Sequence, residues 1–338
     1  MGLIGLVGAN NTVLVTGGAG YIGSHVLLSL LDAGFEVVTI DNLSTGRRLS
    51  VPDEVAFYEG DIANAALLDK IWTEHEISAV MNFAGSIKVG ESIERPLLYY
   101  RNNVLGSQAL LEACSRHDVS EFIFSSSAAV YGVPDQIPVS ETAPTEPINP
   151  YGRTKFITEW QLADLSAVTG MRYAALRYFN VAGADPAMRT GESVPSPSHL
   201  IKIAAQVATG RRSGMRIFGD DYETPDGTCI RDYIHVSDLA DLHVIALQHL
   251  RRTGENFTTN CGYGRGLSNR EVMAAVAKVI DAPFDIEFGP RRPGDPAILV
   301  SDVRKLHSLF QWRPKYDNIE TIISTAIEWE KCLKAEED

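Results

Sequence analysis

Thr12-Val-Leu-Val-Thr-Gly-Gly-Ala-Gly-Tyr-Ile-Gly-Ser24 opens as a β-branched apolar run and passes without a break into Gly17, Gly20 and Gly23. The run reads as a buried strand, and the apolar periodicity after Ser24 reads as a helix stopping near Ala33-Gly34. Glycines at such a junction permit a tight turn and let a diphosphate approach amide N–H groups at the positive end of the helix. A second strand, Glu36 to Ile40, leads into Asp41. An acid at that spacing accepts hydrogen bonds from an adenine ribose and repels a 2′-phosphate, so NAD is expected rather than NADP. Asp61 is expected to close the third strand, where it meets the adenine edge or caps a helix.

Outward from this unit the same beat continues. Strands are expected at Val55–Tyr58, Ala79–Phe83, Glu121–Phe124 and Tyr173–Arg177, with helices at Asn64–His75, after Pro96 and after Pro150. Strands alternating with helices imply right-handed crossovers and a parallel sheet covered on both faces. The expected fold is therefore α/β, a doubly wound parallel sheet of Rossmann-like type. Beyond it, Pro186, Gly191, Pro195 and Pro197 break the rhythm. A boundary is placed near residue 180, dividing a cofactor lobe (1–180) from a smaller α/β substrate lobe (181–338), from which some segments return to the first. Ligand is expected in the cleft between them.

The 338 residues carry 43 acidic against 30 basic side chains, a formal charge of -13. That balance argues against a broad surface for nucleic acid, so anionic ligands must be met by local positive charge. No apolar run approaches the roughly 20 residues needed to span a bilayer, and Met1–Asn10 lacks the features of a secretory signal, reading instead as a short extension. Cys114, Cys229, Cys261 and Cys332 stand far apart with no C-x-x-C pair. The expectation is a soluble cytoplasmic protein with neither a disulfide framework nor a metal site.

Tyr151-Gly-Arg-Thr-Lys155, after Asn149-Pro150, opens a helix with Tyr151 and Lys155 one turn apart on one face. An ammonium beside a phenol favours the phenolate, bringing a group of ordinary pKa about 10 towards use as a base. Y-x-x-x-K alone is commonplace. Its weight here comes from Ser125-Ser-Ser127 at the end of the preceding strand, since open α/β sheets bind ligands at strand ends.

With these residues in place, the chain resembles the UDP-glucose 4-epimerase family, within the extended short-chain dehydrogenases/reductases. The likeness is carried by the glycine run, Asp41-Asn-Leu43, Gly60-Asp-Ile62, Phe83-Ala-Gly85, Val89-Gly-Glu-Ser92, Val130-Tyr-Gly132 and Leu176-Arg-Tyr-Phe-Asn180. More specific to the epimerases are Asp226-Gly-Thr228, Arg231-Asp-Tyr-Ile-His-Val236, and Arg291-Arg292 with Gly294-Asp295. The resemblance implies a catalytic trio of Ser127, Tyr151 and Lys155, the same three also facing the ligands. It implies an NAD site at Tyr21, Ile22, Asp41, Asn42, Asp61, Ile62, Phe83, Ala84, Asn102, Tyr151, Lys155 and Phe179, with the glycine turn. It also implies a UDP-sugar site at Asn180, Leu200, Phe218, Arg231, Arg292 and Asp295, and a homodimer formed through the helices after Pro96 and Pro150. Two guanidiniums can grip a diphosphate bidentately, and Asp295 can accept from ribose hydroxyls.

The chain departs from the family's commonest pattern at four places. Ser86-Ile-Lys88 moves a lysine by one position, and no cofactor contact is carried over to it. Ala129 replaces a threonine, and His199 replaces an asparagine near the nucleotide. Leu299 stands where the resemblance places a gate on the sugar's 2-substituent; tyrosine there restricts the pocket to hexoses, a small residue admits N-acetyl sugars, and leucine is intermediate. The expected activity is reversible C4 epimerisation of UDP-glucose and UDP-galactose. Alternatives are a C4 epimerase of UDP-N-acetylglucosamine or UDP-xylose, a nucleotide-sugar dehydratase, or a non-catalytic nucleotide sensor. A dehydratase needs an acid/base carboxylate pair beside the serine, where this chain has only Ser126-Ser-Ala-Ala129.

Overall fold

The computed structural model describes residues 11–194, 197–292 and 294–337; Met1–Asn10 and Pro195 lie outside the described residues. The strands are β1 (Thr12–Thr16), β2 (Glu36–Asp41), β3 (Ala56–Glu59), β4 (Ile77–Asn82), β5 (Glu121–Ser127), β6 (Arg172–Tyr178), β7 (Asn180–Ala182), β8 (Arg216–Phe218), β9 (Ile230–His235), β10 (Phe257–Cys261), β11 (Gly266–Ser268), β12 (Glu287–Gly289) and β13 (Ile298–Leu299). Seven of them form one sheet in the order β10-β6-β5-β4-β1-β2-β3, every neighbouring pair parallel.

The reason these segments become strands is visible in where alternate side chains go. Val13 and Val15 enter one core with Met81, Ile123 and Leu176. Leu14, between them, enters the opposite core with Ile40, Val80, Phe122 and Phe124. A parallel sheet buried on both faces needs apolar residues at nearly every position, which is why β1 reads as an unbroken run. Helices Tyr21–Asp32 and Val236–Thr253 pack together over one face, and Ala65–Glu74, Gly106–Arg116 and Pro150–Thr169 cover the other.

The order in which strands are added reverses between β1 and β4: from β1 the chain moves outward through β2 to β3, and from β4 it moves the other way through β5 to β6. Ligands of open α/β sheets bind outside the carboxyl ends of strands at such a switch point. The glycine turn follows β1 and Phe83-Ala84 follows β4, so both flank it. Beyond β6, β9 is the centre of a second sheet, flanked by β7 and β13 in parallel and β11 antiparallel. Helices Leu200–Ala208, Asn269–Ile280 and Ile319–Glu337 share a core with it. The segment Val236–Cys261 returns to the first sheet, as helix and as edge strand β10.

Two details differ from the sequence expectation. The helix after Pro96 passes through a π-helical stretch, Tyr100–Leu105, before resuming at Gly106–Arg116. Strand β5 runs three residues past the expected Phe124, so Ser125, Ser126 and Ser127 at its end are paired in register with Leu176, Arg177 and Tyr178.

Candidate active site

Gly17 has φ of 72°, in the left-handed region, and a Cβ there would stand 2.8 Å from the Ala84 amide nitrogen. The turn after β1 can therefore press against the end of β4 only with glycine at this place. Helix Tyr21–Asp32 begins at Gly20, with no side chain capping its first-turn N–H groups. An uncapped helix start behind a glycine turn suits a phosphate. Asp41, only 8% exposed, closes β2 and accepts from the amides of Ala19 (3.0 Å) and Leu43 (2.8 Å). Burial raises its carboxyl pKa, opposed by those two N–H donors. An ionised carboxylate has about four lone-pair sites, so it can shape the turn and still accept from a ribose. These features fit an NAD dinucleotide.

Asp61 lies just past β3, accepting from the Asn42 amide (3.3 Å) and the Ala63 N–H (2.9 Å); Asn64 caps the following helix instead. Ile62 is buried in the core beneath. Tyr21 has its hydroxyl donated to the Gly183 carbonyl at 2.7 Å, tying the glycine-rich helix to the segment after β7. Phe83 packs against His243, with ring centres 4.8 Å apart. In the π-helical stretch Asn102 donates to the Ser86 hydroxyl at 3.0 Å. Its neighbour Asn103, not singled out in the sequence, accepts from the Ser86 amide and donates to both Ser86 O and Thr154 Oγ1. A π-turn rotates successive side chains out of the α-helical phase, and this one lets Asn103 join the loop after β4 to helix Pro150–Thr169.

That helix starts with Asn149, whose Oδ1 accepts from Gly152 N at 2.8 Å, and with Pro150 in the first turn. A Cβ at Gly152 would stand 2.4 Å from the Ala129 carbonyl oxygen, so glycine lets the first turn sit directly on the chain leaving β5. Tyr151, Lys155 and Ser127 meet there, each 8% exposed or less. Ser127 Oγ accepts from Ala129 N at 3.2 Å, leaving its own proton for Tyr151. Lys155 Nζ donates to the Ser125 carbonyl at 2.8 Å and lies 5.9 Å from the Tyr151 ring centre. This corrects one expectation: burial pushes the Tyr151 phenol up, with only the Ser127 hydrogen bond acting downward. The ammonium's hydrogen bond goes to the Ser125 carbonyl. Burial also brings Lys155 down to about 8, opposed by the charge of Glu159.

The residues expected to hold a UDP-sugar stand on the second sheet and its connections. Asn180 opens β7, Phe218 closes β8, and Leu200 opens its helix. Arg292 stacks on Phe218 with Cζ 4.2 Å from the ring centre. Leu299 pairs with Arg231 across β13 and β9, and, like Phe179, it packs against the buried cluster of Ala128, Val130, Tyr131 and Val139. His199 bonds Glu192 at 2.8 Å, and the carboxylate raises its pKa, while Lys88 opposes that rise. Arg231 and Asp295, expected to meet different parts of a nucleotide, form an ion pair with one another. Arg231 also donates to the carbonyls of Ile230 (2.8 Å) and Pro296 (2.6 Å). A diphosphate must compete with these acceptors for the guanidinium. An open recess of about 700 Å³ bounded by Asp135–Pro138 and Ser301–Arg304 contains none of these residues.

The chain is similar to known proteins over nearly its whole length. Residues 13–262 match the NAD dependent epimerase/dehydratase family. A UDP-glucose 4-epimerase of Azospirillum brasilense is 55% identical over 96% of this chain and 94% of its own. The crystal structure of UDP-glucose 4-epimerase from Brucella ovis in complex with NAD superposes with a TM-score of 0.90 at 46% identity, covering 94% of this chain and 98% of that one. A UDP-Glc/GlcNAc 4-epimerase from Campylobacter jejuni matches with a TM-score of 0.83 at 44% identity, over 96% and 100% of the two chains. This chain belongs to the NAD-dependent epimerase/dehydratase family, among its UDP-glucose 4-epimerases.

Proposed function

We propose that the protein interconverts UDP-glucose and UDP-galactose by inverting C4 through a transient 4-keto sugar. The observation that carries this reading is the meeting of Ser127, Tyr151 and Lys155 at the carboxyl end of β5, near the switch point where the glycine turn lies. NAD, when bound, supplies the hydride acceptor and donor for C4. The turn of Gly17, Gly20 and Gly23, the first-turn amides of Tyr21 and Ile22, and Asp41 would hold its phosphates and ribose, with Asn42, Asp61, Ile62, Phe83, Ala84, Asn102 and Phe179 around it.

Tyr151 then takes the proton of the sugar's 4-hydroxyl. Because burial alone disfavours the phenolate, positive charge beside it must do the opposite, and Lys155 is the buried cation one turn away. Ser127 donates to the same oxygen and steadies charge as it develops there. Arg231, Arg292 and Asp295 grip the nucleotide while the hexose turns to present its other face, and Tyr151 returns the proton. His199 and Leu200 border the nucleotide. The oxidation is reversed on the same sugar, so the reaction has no net redox change.

The two-lobed division near residue 180 belongs to this reading, with cofactor on the first sheet and sugar nucleotide on the second. So does a homodimer through the helices after Pro96 and Pro150. Leu97 (78% exposed), Leu105 (57%) and Trp160 (57%) on those segments give each subunit an apolar face to bury. Among the described residues no helix is long and apolar enough to cross a membrane. All four cysteines are free, which supports a reducing cytoplasm as the working compartment.

Incubation with UDP-galactose, UDP-N-acetylgalactosamine and UDP-arabinose, with no cofactor added and products separated by chromatography, tests the reaction and its breadth. Conversion of UDP-galactose to UDP-glucose is expected. Leu299→Ser should raise the ratio of N-acetyl to hexose turnover; an unchanged ratio removes Leu299 as the gate.

A further inference from the structure

Glu159 follows Lys155 by one helical turn, so both side chains leave the same buried face of helix Pro150–Thr169. Its carboxylate, 7% exposed, accepts from Ser126 Oγ at 2.6 Å, from Arg177 Nε at 2.9 Å and from Arg177 Nη2 at 2.5 Å. Arg177 is equally buried, on β6, with its Cζ 4.9 Å from the Tyr131 ring centre. Drying two charges costs more than an apolar pair of the same size would, so the pair needs a reason beyond stability. Its position supplies one. Ser126 lies between Ser125, whose carbonyl accepts from Lys155, and Ser127, which meets Tyr151.

We propose that Glu159 is a positioning residue for the reaction, keeping the Lys155 ammonium charged and holding the Ser125–Ser127 strand end against Tyr151. The inference rests on the roles proposed above for Ser127, Tyr151 and Lys155. Around Lys155, Glu159 is the charged group that counters desolvation, and with its charge in place burial still holds the ammonium down at about 8. The other groups facing this region are phenols held neutral by burial: Tyr178 and Tyr173 from β6, the latter acted on by Glu159 and Arg177, Tyr131 from the turn after β5, and Tyr99, which donates to Glu91. Glu141 acts on Tyr131, and Arg177 is spent on Glu159 and Tyr131.

The signs then differ for the two halves of the pair. Without the carboxylate charge, Lys155 loses its proton at lower pH, and the alkaline limb of the kcat profile moves down. Without Arg177, the carboxylate acts on Lys155 uncompensated, and the limb stays or moves up. Glu159→Gln should shift the limb down by about one pH unit, whereas Arg177→Gln should not. Glu159→Asp should restore part of the shift. If Glu159→Gln fails to fold around an unpaired Arg177, the double variant Glu159→Gln/Arg177→Gln leaves no lone buried charge and should still show the lowered limb. A limb unmoved in the folded variants lacking Glu159, or moved equally downward by Arg177→Gln, overturns the proposal and reduces the pair to a structural strut. Absence of turnover in the parent protein overturns the epimerase reading on which this rests; an active parent indifferent to Glu159 overturns this inference alone.

Discussion

Tyr151 is buried, raised by that burial and supplied with a proton donor in Ser127, so its hydroxyl is the atom on which the proposed proton transfer depends. Tyr151→Phe removes the oxygen and little else, since the ring stays in its place. The variant should fold and retain NAD while losing about 10²- to 10⁴-fold in turnover; near-normal epimerisation would assign the base elsewhere. The residues legible in the sequence were those whose spacing carries a mechanism: the glycines, Asp41, and the Tyr151–Lys155 pair. Asn103, Glu159, Arg177 and Asp232 were not. Each is polar and nearly or fully buried, with partners distant in the chain; Asp232, for example, accepts from Tyr263, Gly264 and Ser301. A single sequence does not show such pairings. Only Glu159 left a local trace, one turn after Lys155. Arg231 and Asp295 were legible as chemistry but not as partners of each other, because the loop joining them through space has no periodicity.

Helix Pro150–Thr169 delivers Tyr151, Lys155 and Glu159 together, so its start is the element on which the site's geometry depends. Asn149, 4% exposed, caps it by accepting from Gly152 N. Asn149→Ala should lower unfolding stability by about 1 kcal/mol, the usual value of a lost N-cap, measured by urea denaturation with the slope unchanged. No loss would mean that Pro150 and the packing of Gly152 on Ala129 fix the first turn unaided. Long elements of the first sheet could be read from their apolar periodicity. β7, β11 and β13 are too short to carry any period. β10 failed for another reason: Thr259 and Asn260 are polar yet fully buried, because Glu141 and the Val139 carbonyl satisfy them. Its place at the sheet edge was therefore hidden by a composition that reads as loop.

At the scale of the molecule, an acidic chain surrounds a site where the positive groups, Lys155, Arg231 and Arg292, are few and individually placed. The first two are buried, and Arg231 is already paired. Such a site suits one doubly charged ligand held for a whole cycle better than it suits loose polyanion binding. The homodimer proposed above is held by Leu97 and Trp160: the parent protein should sediment as a dimer and the variant with both replaced by glutamate as a monomer, and a dimer persisting in that variant would place the interface elsewhere. In the proposed reaction C4 gives up its hydrogen and receives the same one back on the other face, with nothing released between. The direct measurement is conversion of UDP-galactose deuterated at C4, by the purified protein without added cofactor. UDP-glucose that retains the label at C4 is the expected product; UDP-glucose carrying solvent hydrogen there would rule out return of the same hydrogen to C4.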